Sequence, residues 1–147
     1  MNRSALVLLV ALPLAATDLV WKHVAVTPHW AYHPRGLGWL ALSLALIAAA
    51  VGAARFASRL VAVGAGVMVG GVLGNVLSAA WNDLQVPDPI IVFSQHVVIA
   101  FNLADIFTST GTLTITAALT AALIRNRHAL QSRQDVIAAL GRSRDRR

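Results

Sequence analysis

The sequence predicts an all-α membrane protein: four transmembrane helices carrying a small extracytoplasmic cradle of strands and loops. Three observations carry that prediction. Apolar residues make up 57% of the 147 positions and mean hydropathy is +0.68. Charged residues are only 12%, where a soluble domain carries about 25%. Four nearly charge-free apolar runs also recur along the chain, each close to the ~20 residues that cross a bilayer core.

The first run spans Ser4 to Val20 and is interrupted only by Asp18. With Arg3 before it and Ala15 and Ala16 near its end it has features of a signal peptide, but three further spans follow, which favours a retained helix. The second run, Gly36 to Ala54, is rich in alanine. The third, Leu60 to Trp81, carries Gly64, Gly66, Gly70, Gly71 and Gly74, small residues that let membrane helices approach closely. The fourth is Ile106 to Ile124. Between the third and fourth, Ile90–Phe93 and Val97–Phe101 flank the polar break Ser94-Gln95-His96. Such β-branched runs predict two short strands or an extended loop. Residues 1–126 thus form one four-helix domain. Residues 127–147 form a basic cytoplasmic tail, either a surface helix end or disordered.

Charge sets the orientation. Of twelve basic residues, ten fall at Arg3, Arg55, Arg59 and in the tail from Arg125, leaving only Lys22 and Arg35 in the two other loops. Both termini are therefore expected in the cytoplasm. Trp21, Trp30, Trp39 and Trp81 cluster near the opposite boundary, as interfacial aromatics do. Basic residues placed this way anchor spans, so the net charge of +6 points to membrane lipids as partners and away from nucleic acid.

The chain has no glutamate, and four of its six aspartates (Asp18, Asp83, Asp88, Asp105) stand where apolar runs begin or end. Carboxylates at a hydrocarbon margin are costly and invite a functional reading. Asp88 lies between Pro87 and Pro89, on a stiff non-helical segment. Asp105 opens the fourth span, where a helix N-terminus stabilises a carboxylate. Taken singly, one is a loop aspartate and the other a cap. Taken together, they share one face on either side of a possible hairpin. Two close carboxylates share a proton, so one can act as base toward water while the other polarises a carbonyl. Asn75 approaches the same face, either as an interhelical hydrogen bond or to hold a substrate carbonyl. Asn102, three residues before Asp105, can cap the helix or orient the site. Asp18 and Lys22, four apart, can pair along a helix.

Other chemistries are poorly served. With no cysteine there is no disulfide, thiolate nucleophile or cysteine metal site. His23, His29 and His33 share one loop but lack tight ligand spacing, so no metal and no cofactor is expected. Ser78 and Ser94 have no base at motif spacing.

Gly70-Gly71-Val72-Leu73-Gly74-Asn75, Val86-Pro87-Asp88 and Phe101-Asn102-Leu103-Ala104-Asp105, in this order, resemble the lipoprotein (type II) signal peptidases. That family's pattern reads GG-x-x-GN-x-x-DR, V-x-D-F and FN-x-AD, and the last element matches fully. Asp18-Leu19-Val20-Trp21-Lys22 is similar to its early D-x-x-x-K element. The resemblance covers most of the chain. It implies a multi-pass aspartic endopeptidase of the bacterial inner membrane, whose substrates are prolipoproteins cut just before a lipid-modified cysteine. It implies Asp88 and Asp105 as the catalytic pair near the outer face, supported by Asn75, Asn102, Asp18 and Lys22, with the first outer loop as a cradle over the substrate. The chain departs from the pattern at Ser78-Ala79, where the family has Asp-Arg, at Pro34 in place of an asparagine, and at Pro89 in place of phenylalanine. Asp83 is a candidate replacement for the missing acid. Two other classes stay open: a catalytically inactive relative that binds lipoprotein signal peptides or a membrane partner, and a proton-coupled carrier, whose usual internal repeats the chain lacks.

Overall fold

The computed structural model describes residues 2–27, 29–93 and 97–144, with side chains described as far as residue 127. The element order is α1 (Arg3–Val24), β1 (Ala31–Pro34), α2 (Leu37–Ala54), α3 (Arg59–Trp81), β2 (Gln85–Asp88), β3 (Ile90–Phe93), β4 (Val98–Phe101) and α4 (Leu103–Arg144). All four helices contain a stretch long and apolar enough to cross a membrane, which in α4 is Leu103–Arg127. The protein is an all-α membrane protein with two small sheets. It divides into two compact units, residues 1–115 and 116–147, the second consisting of the rest of α4.

Side-chain caps start α1 and α3. Asn2 accepts from the Ser4 amide at 3.1 Å and Ser58 from the Val61 amide at 3.2 Å, each satisfying an amide that a helix start leaves orphaned. α3 is the central helix: 67% of its span is buried, against 22% for α1 and 11% for α2. Glycine makes this possible. A Cβ on Gly66 would meet Val10 at 2.7 Å, one on Gly70 would meet Leu14 at 2.9 Å, and one on Gly71 would lie 2.2 Å from the Ala104 carbonyl. Small residues therefore let α1 and α4 approach α3 at backbone distance. The core they enclose is small-sided: Val7, Ala11, Ala54, Ala62, Ala65, Met68 and Val69. Leu9, Leu12, Leu42 and Leu113 remain exposed, as expected of surfaces that lipid covers, since burial against lipid needs no protein partner.

Two antiparallel pairs connect the helices where α1 and α3 end and α2 and α4 begin. The expected short strands are β3 and β4, paired Ile90↔Phe101 through Phe93↔Val98; the polar break Ser94-Gln95-His96 lies outside the described residues. The other pair joins two distant loops, β1 with β2, in the register Ala31↔Asp88 through Pro34↔Gln85. Element boundaries depart from the sequence reading most at the end of α1 and in α4, which starts at Leu103 rather than Ile106. α1 continues past Val20 to Val24, so Asp18 and Lys22 lie inside a helix. The tail is helical as far as Arg144, the helical one of the two states expected for it.

Candidate active site

The β3–β4 hairpin positions the two key aspartates. By pairing Ile90 with Phe101, it returns the chain so that Asp88, just before β3, and Asn102, just after β4, stand side by side. Asn102 is completely buried and ties the two carboxylates together. Its Nδ2 donates to Asp88 Oδ1. Its backbone N–H donates to Asp105 Oδ2 at 3.1 Å, while its own Oδ1 accepts from the Asp105 amide at 3.1 Å. The reciprocal pair is a capping box built from Asn and Asp. Asp105 is thus both a helix cap and half of the carboxylate pair.

Behind Asp105 the polar chain continues across the bundle. Asn75 Nδ2 donates to Asp105 Oδ1 at 2.9 Å, and Lys22 Nζ donates to Asn75 Oδ1 at 2.8 Å. Lys22 Nζ also lies 2.7 Å from Asp18 Oδ2, with both side chains buried. Asp18 Oδ1 in turn accepts from the Ala104 amide at 2.9 Å, so α1 caps the start of α4. Gly74 makes room for this, since a Cβ there would sit 2.8 Å from Asp18 Oδ2. Buried charges persist only when paired or hydrogen-bonded: Lys22 and Asp18 neutralise each other, while Asp105 and Asp88 accept hydrogen bonds from the neutral amides of Asn75 and Asn102. Asp18, Lys22, Asn75, Asn102, Asp88 and Asp105 form one connected set drawn from α1, α3, β2, the β4–α4 junction and α4.

Two further side chains join this site that spacing in sequence did not single out. His33, on β1, places Nδ1 against Asp88 Oδ2, so each oxygen of Asp88 has a protein partner and the carboxylate is 2% exposed. Arg35, just past β1, donates its amide to the Leu84 carbonyl at 2.7 Å and holds its guanidinium 5.1 Å over the Trp39 ring, within cation–π range. Its Nε is buried without a hydrogen-bond partner. The link to both is the β1–β2 pairing, which joins loops some fifty residues apart and leaves no local trace.

Asp83 stands apart. It is exposed, in the turn after α3, at φ 50° with Leu84 at φ 61°, a left-handed pair that turns the chain into β2. Ser78 is buried and its carbonyl accepts from Asn82 Nδ2 at 2.7 Å. His23 and His29 lie outside the connected set; His29 packs edge-on to Phe93.

A cleft of about 260 Å³ opens beside the site, lined by Arg35, Trp39, Leu42, Ser43, Leu46, Val72, Asn75, Asp105 and Thr108. Its lining is mainly apolar, with Arg35, Ser43, Asn75, Asp105 and Thr108 as the polar members. A second cavity of about 380 Å³ lies between the ends of α1 and α3 and the first sheet, bordered by Lys22, His23, Trp30, Tyr32, Trp81 and Asn82 among others.

No protein-family model and no curated protein matches the chain. Solved structures do. One, described as a bacterial membrane enzyme determined by the in meso method at 1.9 Å, superposes with a TM-score of 0.64 at 20% identity, over 77% of this chain and 91% of its own. A second, described in the same words at 2.3 Å, gives a TM-score of 0.63 at 17% identity, over 82% and 88%. At such identity the likeness is one of fold: this chain shares the fold of bacterial membrane enzymes.

Proposed function

We propose that this protein is an aspartic endopeptidase of the membrane, resembling the lipoprotein signal peptidases, with Asp88 and Asp105 as its catalytic pair. The observation that carries the reading is the coupling of these two carboxylates through one buried asparagine, with Asp105 lining a mainly apolar cleft. That is the arrangement a hydrolytic pair needs: two acids in one place, one of them able to hold a proton. One carboxylate takes a proton from water as the water oxygen bonds to the scissile carbonyl carbon, and the other gives its proton to the carbonyl oxygen. The tetrahedral intermediate then collapses, the C–N bond breaks, and the leaving nitrogen takes up a proton. A new carboxyl and a new amine result, with one water consumed. No metal or cofactor enters.

The cleft suits a substrate with an apolar body and a peptide carbonyl at its end. Leu42, Leu46 and Val72 supply apolar lining and Arg35 adds hydrogen-bond donors to it. On this reading the substrates are prolipoproteins carrying a lipid-modified cysteine. The protein sits in the bacterial inner membrane with both termini cytoplasmic and the site near the outer face, as the placement of basic residues supports. Purified protein in proteoliposomes, given a diacylglyceryl-modified prolipoprotein, should release the signal peptide at the bond preceding the modified cysteine. Intact precursor after prolonged incubation contradicts the reading.

One observation favours a second reading, an inactive relative that binds signal peptides. The positions aligned with the family's Asp-Arg are Ser78 and Ala79, and Asp83 points into solvent rather than replacing the acid. Capture of the precursor without turnover would select this alternative.

A further inference from the structure

We propose that His33 is a positioning residue of the catalytic centre, which makes strand β1 part of the active site and not only a cover over it. The inference rests on the peptidase reading and deepens it.

Three observations point to His33. Its Nδ1 meets Asp88 Oδ2 while Asn102 Nδ2 holds Oδ1, so the imidazole and the amide together fix the carboxylate plane; neither alone can stop it rotating about its Cβ–Cγ bond. Asp88 itself is 2% exposed, whereas the His33 side chain is 48% exposed. The ring therefore connects a buried carboxylate to water. Finally, the strand that carries His33 is anchored on both flanks of the contact, by the β1–β2 ladder and by the bond from the Arg35 amide to the Leu84 carbonyl. The histidine is held to Asp88 by backbone rather than by chance of side-chain rotation.

The electrostatic setting gives His33 a distinct place. Asp88 on β2 is its direct partner. Asp105 on α4 is one step further, through Asn102, and the Lys22–Asp18 pair of α1 lies beyond Asn75. Arg35, two residues along, is turned onto Trp39. The donors to Asp105 are both neutral amides, from Asn75 and Asn102. His33 is the one titratable hydrogen-bond partner of either carboxylate among the described residues, so it distinguishes Asp88 from Asp105. Imidazole is suited to this, since its two nitrogens can face a carboxylate and water at once.

The test is steady-state cleavage of a lipid-modified precursor peptide by wild type, His33→Ala and His33→Asn in detergent. Loss of one hydrogen bond to a charged group predicts a fall in kcat of roughly tenfold to a hundredfold in His33→Ala, with KM within about twofold. His33→Asn, whose amide N–H can stand where Nδ1 stood, should recover part of kcat. Unchanged kcat in His33→Ala, or no recovery in His33→Asn, with wild type active, overturns the assignment and leaves the peptidase reading intact. If wild type does not cleave, the peptidase reading fails, and the His33–Asp88 pairing is decided by the imidazole ¹⁵N resonance of His33. A shift of that resonance in Asp88→Asn sustains the pairing, and an unmoved resonance overturns it.

Discussion

Asn102 links the two carboxylates through both its side chain and its backbone, and its replacement separates the roles of the site. Asn102→Ala removes the bond to Asp88 and the acceptor for the Asp105 amide. It should lower stability by about 1–3 kcal/mol and, on the peptidase reading, reduce kcat far more than it raises KM; a thermal scan and cleavage kinetics on the same preparation check both. Lys22→Met has a different signature. It leaves Asp18 buried without its cation, so an unfolding loss of about 3–5 kcal/mol is expected, and a variant as stable as wild type would show that the Asp18–Lys22 pair is dispensable. At this scale the sequence was informative wherever a residue's role depends on local spacing. Asp105 and Asn102 form a capping box three residues apart, and Asp18 and Lys22 pair at four. His33 and Arg35 were not legible, because their roles depend on β1 meeting β2 across some fifty residues, which neither strand's composition reveals. Asp83 looked like a nearby spare acid, but the left-handed turn it shares with Leu84 turns it outward.

The elements were more legible than the contacts between them. Apolar run length located all four helices, since a bilayer span needs nothing more specific than ~20 apolar residues. The break at Ser94–His96 between β-branched runs located β3 and β4. What run length missed is where α1 ends: the apolar run, interrupted by Asp18, stops at Val20 ahead of Lys22, yet Asp18 and Lys22 neutralise each other within the helix and let it continue to Val24. The helix crossings, in turn, are set by individual glycines. A Cβ on Gly111 would lie 2.2 Å from the Met68 amide nitrogen and 2.6 Å from the Gly64 carbonyl oxygen. Both are backbone atoms of α3 that cannot step aside. Gly111→Ala should therefore force α3 and α4 apart and lower stability by about 1–3 kcal/mol. Gly38→Ala, in α2 with nothing within 4 Å of its Cβ position, should cost nothing and gain up to about 1 kcal/mol from helix propensity. Equal melting temperatures for the two variants would refute the close-approach account of the α3–α4 crossing.

For the molecule as a whole, the placement of basic residues and the fold lead to one arrangement: four spans, two small sheets on the side where α1 and α3 finish, and a connected polar set beneath them. A fluorescent protein fused after Arg147 should fold in the cytoplasm and fluoresce, while alkaline phosphatase at the same position should stay inactive; active phosphatase would invert the proposed orientation and put the site on the wrong side for secreted precursors. The composition made the membrane class evident, and the order of motifs suggested the peptidase; whether the changed surroundings of the pair permit catalysis depends on chemistry that no pattern of residue types expresses. The most direct test is single-turnover cleavage of a lipid-modified precursor peptide by wild type, Asp88→Asn and Asp105→Asn, with binding followed in parallel by crosslinking. The account predicts that wild type cuts the peptide and that each variant still binds it while cleavage falls below detection. A variant that cuts at the wild-type rate, or a wild-type protein that binds the peptide and never cuts it, would contradict the claim that Asp88 and Asp105 together activate water.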